Sequence, residues 1–279
     1  MLRDALRDCR TRLRDGGIVN AEEEARLLME HVTGYDRVRL MNHADESLSS
    51  EQTVLLNSLI EKRLTRYPLQ YLLGSWSFMG FELSVGEGLL IPRDDTEVAV
   101  GLCLDYLKEH KNAKAIDLCA GSGAISIALE QLGKADVTAI ELSEQAFKFL
   151  IMNIKANHSL VHAVQADVLT CHRDFEPQGY DLIVSNPPYI KRGELTELQP
   201  EVQFEPAMAL DGGDDGYDFY RAIIRDWSGK LKHGGALVFE LGEGQADSVA
   251  ALMKAQDFNE IRTEYDLGGC QRAIIGTML

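Results

Sequence analysis

The spacing of hydrophobic residues changes about a quarter of the way along the chain. Up to residue 75 they recur every three or four positions, as in Leu2, Leu6, Cys9 and Leu13. This spacing is typical of helices that bury one face. The first part of the chain therefore predicts a small all-helical domain over residues 1–75.

Two segments of that region carry a helix start signal, in which Ser, Thr, Asp or Asn is followed three residues later by Glu or Gln. The pairs are Asn20 with Glu23 and Ser49 with Gln52. We expect a capping box at both positions. The third helix must end before Pro68, because the residue preceding a proline avoids the helical conformation.

After residue 75 the pattern alternates around Gly80, which predicts a hairpin linker over residues 76–90. A helical stretch follows, and from Lys114 short apolar runs alternate with helical segments. Strands are predicted at residues 115–119, 137–141, 161–165, 182–185 and 236–240, with a terminal pair at 261–267 and 272–277. Residues 91–279 therefore predict an α/β domain with a doubly wound, mostly parallel, Rossmann-like sheet.

Charge and cysteine usage narrow the functional classes. The 279 residues carry a net charge of −16, which argues against a surface for phosphate backbones and favours a basic partner. The five cysteines lack any Cys-x-x-Cys spacing, so we expect reduced thiols and no metal site. The charged amino terminus resembles neither a signal peptide nor a membrane span, which predicts a cytoplasmic protein without a membrane partner.

The first candidate site is the turn between the first predicted strand and its helix, with the sequence DLCAGSGA at residues 117–124. Glycines let a ligand approach the backbone closely, and Glu141 follows about twenty residues later, where an acid binds ribose hydroxyls. A nicotinamide dinucleotide and S-adenosyl-L-methionine both fit this pattern. Asp117 favours the second, because a carboxylate repels a diphosphate and attracts a sulfonium or ammonium. Ser126 also replaces the third glycine of the dinucleotide pattern.

The second candidate site closes the fourth predicted strand, with the sequence SNPPYI at residues 185–190. Proline ends a strand and fixes the backbone, so the Asn186 side chain and the Pro187 carbonyl are held with little freedom. Two fixed oxygen acceptors suit both hydrogens of a planar NH2 group, and the Tyr189 ring offers a flat apolar wall.

Asn-Pro-Pro-Tyr resembles the signature of methyltransferases that modify exocyclic or amide nitrogens, and DLCAGSG resembles the first motif of their class I fold. Together with LLIPRDDTE at 89–97, FEPAMALDGGDDG at 204–216 and FELG at 239–242, the chain resembles the release factor glutamine-N5 methyltransferase family along essentially its whole length. Asp94 stands where that family usually has proline.

The resemblance implies S-adenosyl-L-methionine as cofactor and class I peptide chain release factors as protein substrates of a monomeric enzyme. The loop from Asp117 to Gly123 would wrap the methionine part, Glu141 would take the ribose hydroxyls, and Asp167 and Val168 would flank the adenine. The implied cofactor-binding residues are Asp117, Cys119, Ala120, Gly121, Gly123, Glu141, Asp167, Val168 and Asn186. The implied substrate-binding residues are Asn186, Pro187, Pro188 and Tyr189, of which Asn186, Pro187 and Tyr189 would be catalytic.

Three functions compete at this stage. The first is methylation of the glutamine in the Gly-Gly-Gln loop of a release factor, with residues 1–75 as a substrate-recognition domain. The second is methylation of an exocyclic amino group, adenine N6 or guanine N2, in nucleic acid, which Asn-Pro-Pro-Tyr alone supports. The third is a non-catalytic interaction protein on a methyltransferase fold.

Overall fold

The computed structural model describes residues 1–279, which separate into two compact units. The helical unit comprises Met1–Gly74 with the segment Gln199–Phe204, and the sheet unit comprises Ser75–Leu198 with Glu205–Leu279. The hairpin expected as a linker thus groups with the sheet unit. None of the helices combines the length and the hydrophobicity that a membrane span requires.

The helical unit contains five helices: α1 (Leu2–Asp15), α2 (Ala21–Thr33), α3 (Arg37–Asn42), α4 (Ser50–Leu64) and α5 (Leu69–Leu73). The capping box predicted at Ser49 and Gln52 is confirmed. The one predicted at Asn20 is wrong: Asn20 has φ −96° and ψ 36° and makes no side-chain cap bond. A side-chain cap needs the extended backbone that Ser49 adopts, with ψ 165°.

The segment 199–204 belongs to the helical unit because of two contacts. The buried Arg63 guanidinium binds Glu24 at 2.6 Å and donates to Glu201 at 3.0 Å. The rings of Tyr67 and Phe204 meet edge to face with centroids 5.4 Å apart. A buried arginine with two carboxylate partners is satisfied, and this pairing holds the segment on the helices.

The sheet unit begins with a two-stranded hairpin and continues as a seven-stranded sheet with helices on both faces. Its elements are β1 (Ser75–Phe78), β2 (Phe81–Ser84), α6 (Thr96–Glu109), β3 (Lys114–Leu118), α7 (Ala124–Gln131), β4 (Asp136–Glu141), α8 (Glu144–Ala156), β5 (His162–Gln165), β6 (Tyr180–Ser185), α9 (Asp218–Trp227), β7 (Leu231–Glu240), α10 (Ala246–Ala255), β8 (Phe258–Tyr265) and β9 (Gln271–Met278).

The strand order is β5-β4-β3-β6-β7-β9-β8, and every pairing is parallel except those of β9. The predicted terminal strand pair is confirmed, with β9 lying between β7 and β8. The order turns back between β3 and β6, and a ligand crevice is expected at such a point, outside the carboxyl ends of the strands. The doubly wound, mostly parallel sheet is therefore confirmed.

Alternation along the strands fills two cores. Leu182 and Val184 of β6 face the core formed with α6 and α7, whereas Ile183 faces the core formed with α9 and α10. Successive side chains of a strand point to opposite faces, so a strand covered on both sides reads as continuous apolar sequence. Helices α9 and α10 were not predicted from the sequence, although the buried Tyr220, Ile223, Ile224 and Trp227 of α9 have helical spacing.

Candidate active site

The loop after β3 turns sharply where the chain passes from strand to helix. Cys119, Gly121 and Gly123 have φ of +64°, +54° and +84°. Glycine adopts this left-handed conformation readily, and for Cys119 it is an uncommon and strained one. The loop lies at the carboxyl end of β3 and borders a cavity of about 250 Å³.

The cavity lies at the carboxyl ends of four parallel strands, β3, β4, β5 and β6. Among the predicted site residues, those lining it are Cys119, Gly121, Glu141, Asp167, Val168, Asn186 and Pro188. Asp117, Ala120, Gly123, Pro187 and Tyr189 are not among the lining residues. The structure thus brings the loop after β3, Glu141 at the end of β4, Asp167 after β5 and Asn186 after β6 to one cavity.

Glu141, the last residue of β4, is fixed by backbone donors. Its Oε2 accepts from the Gly121 N–H at 2.8 Å and its Oε1 from the Ser143 N–H at 2.7 Å. Burial raises the pKa of Glu141, and these backbone bonds act in the opposite direction. Each carboxylate oxygen has a further lone pair, so the group can accept hydroxyl donors from the cavity without moving.

Asp117 lies deeper, in β3 itself, and is fully buried. Its Oδ2 accepts from the Ser126 hydroxyl, while its Oδ1 has no hydrogen-bond partner. Burial raises the pKa of Asp117 to about 7. Ser126, which replaces glycine of the dinucleotide pattern, therefore serves as a hydroxyl donor to Asp117. An unpaired buried carboxylate oxygen is costly, and a cationic ligand group nearby would relieve that cost.

The side chains after β5 are held less tightly. Asp167 Oδ1 accepts from the Leu169 N–H at 2.9 Å. Val168 is buried, and Leu142 and Leu169 add exposed apolar surface to the same part of the cavity. An acid beside flat apolar walls can bind a heteroaromatic ring with an amino group, through stacking contacts and one accepted hydrogen bond.

The motif after β6 is fixed by the network around Asn186. Its Nδ2 donates to Thr96 Oγ1 at 3.4 Å, which leaves Oδ1 on the other branch of the amide. Thr96 donates in turn to Glu240 Oε2 at 2.6 Å, and the Tyr189 hydroxyl donates to Glu240 Oε1 at 3.3 Å. Pro187 and Pro188 are buried. Asn186 is thus anchored on one side and exposed to the cavity on the other.

The Tyr189 backbone is enclosed by glycines. A Cβ on Gly212 would lie 2.7 Å from Tyr189 Cα, and one on Gly216 would lie 2.6 Å from the Tyr189 carbonyl oxygen. The chain after Tyr189 is also paired, since Ile190 donates to Leu210 and Gly212 donates to Ile190. The glycine-rich stretch at 212–216 therefore allows a second segment to pack directly on the motif.

Glu205 joins two loops that border the cavity. Its carboxylate accepts from the Ile91 N–H at 2.9 Å and pairs with Arg93. Burial raises the pKa of Glu205, and Arg93 opposes that change. Leu90 lies beside Ile91, and Pro206 and Met208 follow Glu205; all three line the cavity. The family-like segments at 89–97 and 204–216 thus meet through one partly buried ion pair.

Comparison with known proteins agrees with this geometry. A release factor glutamine methyltransferase of Geobacter sulfurreducens is 39% identical over 270 residues, covering 95% of this chain and 92% of its own. One from Thermodesulfovibrio yellowstonii is 36% identical over 256 residues, covering 90% of this chain and 91% of its own. The chain belongs to the release factor glutamine methyltransferase family.

Two family models fit the same assignment, and a solved structure agrees with the fold. A model described as the PrmC N-terminal domain matches residues 4–74, and one described as the methyltransferase small domain matches residues 93–204. A methyltransferase from Pyrococcus furiosus superposes with a TM-score of 0.51 at 15% identity, covering 82% of this chain and 98% of its own. The likeness to that structure concerns the fold alone.

Sequence reasoning about this methyltransferase missed part of the site. The cavity is also lined by Gly88, Leu90, Pro206, Met208, Ala209 and Phe219. These residues come from loops and from α9, where no periodic signal marks a site. Thr96 and Glu240 lie within the family-like segments, but their bond joins residues 144 positions apart. The register of β6 with β7, in which Ser185 pairs with Phe239, places Glu240 beside the motif.

Proposed function

We propose that this enzyme transfers a methyl group from S-adenosyl-L-methionine to the side-chain nitrogen N5 of the glutamine in the Gly-Gly-Gln loop of a class I release factor, in the cytoplasm and as a monomer. The observation that carries the proposal is Asn186, anchored through Nδ2 on Thr96 at the edge of the cavity. Its Oδ1 is free to accept from a planar amide. The names of the homologous enzymes support the choice of substrate.

The residues present fit the proposed cofactor. Glu141 would accept from the ribose hydroxyls, Asp167 and Val168 would hold the adenine, and the loop from Cys119 to Gly123, with Ala120 and Gly121, would enclose the methionine part. The unpaired Oδ1 of Asp117 supports a cationic group in this place. When bound, the cofactor supplies a methyl group on a positively charged sulfur.

The acceptor nitrogen is activated by the chain's own oxygens. An amide nitrogen is a poor nucleophile, because its lone pair is delocalised. Asn186 Oδ1 and the Pro187 carbonyl would accept its two hydrogens, with Pro188 and Tyr189 shaping the rigid turn around them. These bonds strengthen as positive charge develops on the nitrogen, so they favour the transition state over the ground state. Alignment of the reacting atoms contributes further.

The charge distribution supports a basic partner. Residues 75–279 contain 17 Lys and Arg against 32 Asp and Glu, whereas residues 1–74 contain 11 against 12. The acidic excess therefore lies almost wholly in residues 75–279, which form the cavity. The negative electrostatic potential of these residues attracts a basic protein surface and repels a nucleic-acid backbone.

A labelled-methyl assay tests the function. We expect label from S-adenosyl-L-methionine on unmodified release factor, located by peptide mass at the glutamine, and none on a release factor whose glutamine is replaced by alanine. Asn186→Ala should lower transfer at saturating cofactor by roughly 100-fold or more, while the variant still binds S-adenosyl-L-methionine. Asn259→Ala, an exposed asparagine in β8, is the matched control.

Unmethylated DNA and RNA are tested in parallel. Label on nucleic acid with none on the release factor would overturn the proposal and favour an exocyclic amino group as acceptor. Full activity of Asn186→Ala on the release factor would leave the substrate in place and overturn the role given to Asn186.

We further propose that the helical domain, residues 1–75, takes part in recognising the partner. Val54 and Leu55 of α4 are 70% and 43% exposed and border a shallow apolar depression with Ser58. Val54→Asp with Leu55→Asp should raise the KM for release factor and leave kcat unchanged. Thr53→Asp, which adds a carboxylate at an exposed position of the same helix outside the depression, is the control. An unchanged KM would contradict this role.

A further inference from the structure

The carboxylate of Glu240 lies at the end of β7 and does not line the cavity. Two hydroxyl groups, however, connect it to residues 186–189, the acceptor motif after β6. Its Oε2 is 2.6 Å from Thr96 Oγ1 and its Oε1 is 3.3 Å from the Tyr189 hydroxyl. Glu240 is 1% exposed and Thr96 is 5% exposed. Both groups are buried polar residues that the proposed chemistry does not use directly.

The direction of these hydrogen bonds is fixed by chemistry. An ionised carboxylate only accepts, so the single hydrogen of the Thr96 hydroxyl is committed to Glu240. Thr96 Oγ1 then faces Asn186 as an acceptor, and the group of Asn186 that meets it must be the NH2. The amide oxygen of Asn186 is thereby turned away from Thr96.

We propose that Glu240 is a positioning residue that sets the orientation of the Asn186 amide through Thr96. This inference rests on the proposed function, because the oriented oxygen is the acceptor for the substrate amide. An asparagine amide flipped by 180° would present its NH2 to the NH2 of the substrate, and two donors would face each other. By accepting the Thr96 hydrogen, Glu240 thus makes one of the two orientations of the Asn186 amide more stable than the other.

A glutamine at position 240 would not fix the Asn186 amide in one orientation. Glutamine has one acceptor oxygen and one NH2 donor, so it can accept from only one of the two hydroxyls, Thr96 or Tyr189, at a time. If the NH2 faced Thr96, the threonine hydroxyl would be free to donate to Asn186, which would favour the flipped amide. Protonation of Glu240 has the same effect, because one oxygen then becomes a donor.

The surroundings of Glu240 place its titration in an accessible range. Burial raises the pKa of Glu240 to about 7, against the bonds from Thr96 and Tyr189. Arg272 of β9 favours the ionised form and Asp95, before α6, opposes it. Tyr220 of α9 donates to the Glu240 backbone carbonyl at 2.9 Å. We therefore expect kcat to rise with pH through about 7.

The test compares Glu240→Gln, Thr96→Val and Thr96→Ser with the wild-type enzyme. Loss of orientation should lower kcat on the order of 10- to 100-fold in the first two variants. Thr96→Ser keeps the hydroxyl and should retain kcat within about threefold. The Kd for S-adenosyl-L-methionine should stay within about twofold throughout, because Glu240 and Thr96 do not line the cavity. Glu243→Gln, an exposed residue three positions later, is the charge-matched control.

A measurement without turnover isolates the orientation itself. With asparagine labelled by nitrogen-15, the side-chain NH2 signals of Asn186, identified by their absence in Asn186→Ala, should shift in Glu240→Gln and Thr96→Val. They should stay in place in Thr96→Ser and Glu243→Gln. The rise of kcat with pH through about 7 should be lost in Glu240→Gln.

The outcomes separate the two proposals. Unmoved Asn186 signals in Glu240→Gln and Thr96→Val, or wild-type kcat in Thr96→Val while Asn186→Ala loses transfer, would overturn the positioning role and leave the proposed function standing. Shifted signals with label absent from the glutamine would support the orientation network and overturn the proposed acceptor. If Glu240→Gln fails to fold, the pair Thr96→Val and Thr96→Ser decides.

Discussion

Glu141 and Glu240 hold the same place in the sheet, each being the last residue of a parallel strand, yet they are fixed in different ways. Glu141 is held by two backbone N–H groups, whereas Glu240 is held by two side-chain hydroxyls. Backbone donors are set by the fold and leave the outer lone pairs of Glu141 for a ligand. Hydroxyl donors pass the polarity of Glu240 on to a third group. The donors around a carboxylate therefore decide whether it binds or orients.

The largest difference between the two acids should appear in stability against pH. The pKa of Glu240 is raised from 4.5 to about 7 in the folded protein. An acid with a raised folded-state pKa stabilises most at low pH, and this contribution is lost as pH rises through 4.5 to 7. In Glu240→Gln, the fall in the free energy of unfolding between these pH values should be smaller by up to about 3 kcal/mol.

Urea unfolding at pH 4.5 and pH 7.5 measures this change in the free energy of unfolding. Glu243→Gln should keep the wild-type difference in the free energy of unfolding. An identical difference in Glu240→Gln and wild type would show that Glu240 is ionised throughout, and the contrast with Glu141 would then lose its electrostatic part.

The next effect concerns cofactor affinity. Glu141→Gln replaces one carboxylate oxygen by an NH2 donor and so loses one bond from the ribose hydroxyls, and a bond to a charged group contributes roughly 2 kcal/mol. We expect the Kd for S-adenosyl-L-methionine to rise about 30-fold, while kcat at saturating cofactor changes little. Titration calorimetry provides the measurement. Glu144→Gln at the start of α8 removes the same charge at an exposed site and should leave the Kd unchanged.

Glu240→Gln should show the opposite pattern, with kcat reduced and cofactor Kd preserved. If Glu141→Gln and Glu240→Gln both changed only kcat, or both changed only the cofactor Kd, the distinction between a binding and an orienting carboxylate would be lost.

Much of this arrangement follows from local sequence, and the rest depends on tertiary register. Glu141 and the loop at 117–124 are predictable because strand, turn and acid occur in order within one strand–helix–strand unit. Asp117 is predictable as an acid of the loop, but its burial beneath a bond from Ser126 depends on how α7 packs against β3. The hydrogen bonds that connect Asn186 to Glu240 through Thr96 join three segments far apart in the chain, and no local sequence pattern predicts them.

A smaller effect is expected from the glycine that packs on the acceptor motif. A Cβ at position 212 would meet the Tyr189 Cα at 2.7 Å and the Pro188 carbonyl oxygen at 2.9 Å. Backbone atoms cannot move aside cheaply, so Gly212→Ala should cost about 1–2 kcal/mol in the free energy of unfolding and lower kcat. Gly193→Ala has no atom within 4 Å and is the matched control. Equal stability of the two variants would show that the segment yields freely.

The smallest effect should come from Tyr189→Phe, which tests whether both donors to Glu240 matter equally. The tyrosine hydroxyl lies 3.3 Å from Oε1, whereas Thr96 Oγ1 lies 2.6 Å from Oε2. A longer bond is weaker, and phenylalanine keeps the aromatic ring beside Gly242. We expect the free energy of unfolding to fall by less than about 1 kcal/mol and kcat to fall by no more than about threefold, against the larger loss in Thr96→Val. If Tyr189→Phe lowered kcat as much as Thr96→Val, the hydroxyl of Tyr189 would itself act at the acceptor, and Glu240 would orient two groups of equal weight.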